Sequence, residues 1–97
     1  SADPAVTEEV ERQRRILTTA LANVVNVLNP SVIVLGGFLA ALGERDLPGL
    51  VADVTRQSMP ANAEGLDIRL AVLAEDRLLI GAAELTFAEL VHETALA

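Results

Sequence analysis

The sequence predicts an α/β fold, with elements in the order α-β-α-β-α around a short parallel sheet. Three observations predict it. Val32, Ile33, Val34 and Leu35 form an unbroken apolar run between Pro30 and Gly36, and all but Leu35 are β-branched. Ile68, Leu70 and Val72 alternate with Arg69 and Ala71, which is the period of a strand. Apolar residues at helical spacing precede, separate and follow these two runs. Strand, helix and strand at this spacing make a βαβ unit with a right-handed crossover.

The first helix starts at Asp3-Pro4 or at Thr7 and runs to about Leu28. Glu8 and Glu9 fall in its first turn, where the helix dipole favours negative charge. Val10, Leu17, Leu21, Val24 and Leu28 make one apolar stripe, and Glu8–Arg12 and Glu11–Arg15 are i,i+4 pairs in the favourable order. Between Leu17 and Leu28 only Thr18, Thr19, Asn23 and Asn26 are polar, so this half reads as buried over most of its circumference. Pro30 ends the helix.

The run from Val32 to Leu35 lacks alternation and suits a strand buried on both faces. Phe38 to Leu42 is a helical turn or a packed loop, broken at Gly43. Asp46 N-caps a helix that ends near Gln57 or Ser58, with Pro48 in its first turn and Leu47, Leu50, Val51 and Val54 on one side. Met59 to Gly65 reads as a surface loop. Asp67 to Leu73 is the second strand, and Arg69 marks it as an edge or half-covered strand. Glu75-Asp76 then cap a third helix over about Arg77 to Thr94, which opens on Leu78, Leu79, Ile80 and the small residues Gly81-Ala82-Ala83.

Composition bounds the function. A chain of 97 residues allows one domain. Its hydrophobic share is 52%, with a mean hydropathy of +0.42, whereas soluble domains run at about 45–50%. A sheet of two strands is too thin to stand alone comfortably. Both features predict a single partial domain over residues 1–97, with its apolar surface covered by the remainder of a parent protein or by a second copy. A homo-oligomer is therefore expected.

The net charge of −7, with no lysine and seven arginines, argues against direct nucleic-acid binding by this chain. No stretch approaches the ~20 apolar residues of a membrane span. The absence of cysteine removes disulfides and thiolate metal sites, and the start of the chain has no signal-peptide pattern; a cytoplasmic location is expected.

Most polar residues have plain roles. Glu75-Asp76 and Asp46 read as helix caps. His92 is the single histidine and reads as a surface or dipole-complementing residue late in a helix, with no second histidine to share a metal. No serine or threonine has a histidine placed to activate it. Arg12, Arg14 and Arg15 are offset by Glu8, Glu9 and Glu11, the pattern of a solvated face. No GxxxxGK[ST] or GxGxxG loop is present. One candidate site remains: Gly36-Gly37 at the carboxyl end of the first strand, where open α/β sheets bind ligands, with the segment from Arg77 to Ala83 facing the same side. The plain alternative is a turn that serves only chain reversal.

Two stretches resemble a known family. Leu21-Ala22-Asn23-Val24-Val25-Asn26-Val27-Leu28-Asn29-Pro30 followed by Val32-Ile33-Val34-Leu35-Gly36-Gly37, and the later Gly81-Ala82-Ala83-Glu84-Leu85, are similar to the C-terminal part of the ROK family of repressors and sugar kinases. The resemblance covers about Ile16 to Val91. It implies the end of the second lobe of an actin-like (ribonuclease H-like) ATPase domain, and a cofactor-binding role for Gly36, Gly37 and Gly81 in the adenosine region. The family's phosphate loop, catalytic aspartate, sugar-binding residues and zinc motif would lie upstream. By this resemblance the chain is not itself an enzyme, has no catalytic or metal-binding residue, and meets ATP or ADP only if its parent is a kinase. Gly36-Gly37-Phe38-Leu39-Ala40 and Leu73 to Gly81 look more like the regulator branch. The expected function is thus the C-terminal sensing and dimerisation portion of a sugar-responsive transcriptional regulator. The alternatives are the nucleotide-lobe fragment of a sugar kinase and a self-association module without a ligand.

Overall fold

The computed structural model describes residues 3–71, 77–80, 83–86, 88–89 and 92. Helix α1 spans Pro4–Leu28. Asp3 is its N-cap, with the carboxylate accepting from the Ala5 N–H at 2.9 Å, and Pro4 sits where its missing donor costs nothing. At the other end Asn29 adopts the left-handed conformation (φ 47°), and its N–H donates to the Val25 carbonyl at 2.9 Å. Asparagine tolerates this backbone better than most residues.

The burial of α1 follows its sequence in two halves. Leu17, Thr18, Ala20, Leu21, Ala22, Val24 and Val25 are buried, and the first half is mostly exposed. Thr18 is accommodated because its hydroxyl donates to the Arg14 carbonyl at 2.8 Å. Leu28 departs from the predicted stripe and is 57% exposed, because the helix has left the core by its last turn. In the first half Arg12 pairs with Glu9 at 3.2 Å rather than with Glu8.

Strand β1, Val32–Leu35, is followed by α2 (Gly37–Glu44), α3 (Leu47–Gln57) and the single turn α4 (Pro60–Ala63), which lead to β2 (Asp67–Leu70). Helix α3 starts as the sequence predicts, with the Asp46 carboxylate accepting from the Gly49 N–H at 3.1 Å. Two expectations are corrected here. Gly43 does not break α2 but lies buried inside it: a Cβ there would meet Leu70 Cδ2 at 3.0 Å and Leu50 Cδ2 at 3.4 Å, so the missing side chain lets the helix pack close. The 59–65 loop contains α4, held by N–H donation from Asn62 and Ala63 to the Met59 carbonyl.

The pairing of β1 with β2 is parallel, as predicted, with Ile33 opposite Ile68 and Leu35 opposite Leu70. The predicted helix over 77–94 is overturned over its first part. Residues Arg77–Ile80 form β3 and Ala83–Thr86 form β4, giving a mixed four-stranded sheet in the order β2-β1-β3-β4. The α/β class stands; the order α-β-α-β-α and the two-stranded sheet do not. The physical reason is the second edge of β1. Its unpaired N–H and C=O groups gain a full partner from an apolar segment, which outweighs local helix propensity. Among the described residues, helical conformation returns at Ala88, Glu89 and His92. It is opened by a capping box: the Glu89 N–H donates to Thr86 Oγ1 at 3.1 Å and the Thr86 N–H to Glu89 Oε2 at 2.8 Å. Residues Val72–Leu73 of the predicted second strand and the predicted Glu75-Asp76 cap lie outside the described residues.

One sheet face carries Ile33, Leu35, Ile68, Leu78 and Ile80, and these join Leu17, Leu21 and Val25 of α1, Leu39 and Leu42 of α2, and Leu50 and Val54 of α3 in a single core. On the other face Val32, Val34 and Leu79 are half-buried and Asp67 and Arg69 exposed. The expectation that β1 is buried on both faces is corrected accordingly.

Candidate functional site

The chain leaves β1 at Gly36, which is extended (φ −123°, ψ 166°), and turns into α2 at Gly37, whose φ is +58°. A left-handed backbone costs other L-residues roughly 1–2 kcal/mol, so glycine is the natural occupant. The Gly36 carbonyl accepts from the Leu39 N–H at 3.2 Å and the Ala40 N–H at 3.4 Å, which closes the first turn of α2. Gly36 is buried, Gly37 half-buried, and Phe38 44% exposed at the head of the helix. The turn thus sets the electropositive end of a helix directly beyond a strand.

The register decides what else reaches this edge. The Ala71 N–H donates to the Leu35 carbonyl at 2.8 Å, so the carboxyl ends of β1 and β2 leave the sheet side by side. Leu78, at the start of β3, pairs with Leu35. Gly81 lies outside the described residues. Its described neighbours Ile80 and Ala83 pair with each other, and Ile80 pairs with Ile33 toward the amino end of β1. At about 3.3 Å per residue, Ile33 is roughly 10 Å from Gly36 along the strand. The structure therefore joins Gly36 and Gly37 to the strand ends at Ala71 and Leu78. It does not bring Ile80 and Ala83 to that edge.

One polar cluster was missed in the sequence. Arg14, read as part of a solvated face, donates from Nη1 to Asp53 Oδ2 at 2.9 Å, across the α1–α3 contact. Arg56 also pairs with Asp53. The hydrogen bond from Arg14, followed by the contribution of Arg56, holds the Asp53 carboxyl below its ordinary value and overrides the opposing effect of desolvation. The signal was present: Arg14 stands four residues after Val10 and three before Leu17, on the apolar stripe itself. This cluster fastens helices and contains no nucleophile or paired base. A shallow cleft of about 250 Å³ lies along α1 between Ala5, Glu8, Glu9, Arg12 and Arg15, remote in sequence from Gly36. Among the described residues no group of three or more His, Cys, Asp or Glu side chains can hold a metal. No described helix is long and apolar enough to cross a membrane.

A mixed α/β domain with a glycine turn at the carboxyl end of its parallel strand pair is the class of protein in hand. The ROK family matches residues 1–89, and the chain belongs to that family, whose fold is the actin-like ATPase fold. A glucokinase from Halalkalibacterium halodurans (strain ATCC BAA-125 / DSM 18197 / FERM 7344 / JCM 9153 / C-125) is 36% identical over 62 residues, which cover 64% of this chain and 19% of the relative. The matched part is thus about a fifth of that curated relative's length. No solved structure matches.

Proposed function

We propose that this chain is the C-terminal, nucleotide-lobe portion of a ROK-family sugar kinase, with Gly36 and Gly37 forming part of its adenosine-binding edge. The observation that carries the reading is the left-handed Gly37 heading α2 beyond β1, in a chain similar to a glucokinase. In this reading the chain supplies backbone and shape to the nucleotide; the phosphate loop and catalytic aspartate belong to the remainder of the parent. ATP or ADP is then the parent's cofactor, and this portion has no catalytic residue of its own.

A second reading is favoured by one local observation. Gly36-Gly37 is followed by Phe38-Leu39-Ala40, a flank that looks more like ROK regulators. There the same portion supports sugar sensing and dimerisation, and the glycine turn serves the fold alone. The self-association module without a ligand makes the same prediction for nucleotide.

Calorimetric titration of the folded chain with ATP and ADP tests the first reading. Saturable heat is expected, weakened at least tenfold by Gly37→Asn, which tolerates the left-handed backbone while placing a side chain in the turn. Absence of heat from folded protein overturns an adenosine-binding edge at Gly36 and Gly37 within this chain. The parent then separates the alternatives: glucose phosphorylation supports the kinase, and sugar-dependent operator binding without phosphorylation supports the regulator. Sedimentation of the chain tests self-association, which a 10.2 kDa species at high concentration would exclude.

A further inference from the structure

We draw no further inference here: the strongest candidate, the exposed apolar patch of Val27, Leu28 and Met59 where the end of α1 meets the turn into α4, carries nothing because nothing in the structure shows what covers it.

Discussion

The two sides of β1 are built from nearly the same residues. Ile33 lies between Ile68 and Ile80, and Leu35 between Leu70 and Leu78. One side is parallel and reached through three helices; the other is antiparallel and continues into a hairpin. Only the parallel side announces itself in the sequence. Asp67, Ile68, Arg69 and Leu70 alternate polar with apolar because one face of that strand meets water. Leu78, Leu79 and Ile80 do not alternate, and their neighbours Ala82, Ala83, Glu84 and Leu85 are good helix formers. A short apolar run has no period of its own, so the partner it finds decides its structure.

The sharpest test compares matched truncations on the two sides. Ile68 is 5% exposed and Leu78 fully buried, both within the same core. Large-to-small changes at such sites cost about 2–5 kcal/mol. Ile68→Ala and Leu78→Ala are each expected to fall in that range by urea denaturation. A loss below about 0.5 kcal/mol for Leu78→Ala alone, the level of ordinary surface substitutions, would remove β3 from the core and break the equivalence of the two sides.

The turn that closes the parallel side gives the next effect. Gly37→Val forces a β-branched residue to φ +58°, a strain of order 1–3 kcal/mol. Gly37→Asn is expected to cost less, because asparagine visits this region more readily. Equal melting temperatures for the two variants would show that the turn relaxes away from its left-handed conformation.

These contrasts explain what the sequence disclosed. The Asp3 and Asp46 caps, the long helix ending before Pro30, and the separate residue patterns of β1 and β2 were legible because each is written within a few neighbouring residues. The pairing of β3 with β1 and the Arg14–Asp53 contact were not, since each joins residues about forty positions apart in sequence. Gly43 misled for a related reason: its role is set by Leu70 and Leu50, which only the folded crossover brings to it. The Thr86–Glu89 capping box was readable as Thr-x-x-Glu, but the helix predicted across it concealed the signal. For the candidate site, strand position and glycine conformation were accessible locally. The register that sets Ile80 apart from Gly36 was not.

The crossover on the parallel side depends on the start of α3, where a smaller effect is expected. A Cβ on Gly49 would run into the Asp46 carboxylate that caps this helix. Gly49→Ala should therefore lose the cap, at about 0.5–2 kcal/mol, and Asp46→Ala should cost a similar amount. The double variant should be little worse than either single one, since both remove the same bond. Additive losses in the double-mutant cycle would show that Gly49 matters for another reason.

The smallest effect is expected at Asp53, which ties α3 to α1 through Arg14. Its carboxyl is held below the ordinary aspartate value of 3.8, chiefly by the hydrogen bond from Arg14. A depressed folded value means that the unfolded chain takes up the proton first as pH falls. The ionised pair thus stabilises the fold above the unfolded value and loses this contribution as pH falls through the lower folded value. Arg14 and Asp53 retain 22% and 27% of their side-chain exposure, so solvent screens the pair and the effect stays modest. Asp53→Asn should be less stable than the parent sequence at pH 7, with the difference shrinking below about pH 4. A difference that stays constant down to about pH 2.5 would show that the contact acts through packing, and that charge does not fasten the crossover to α1.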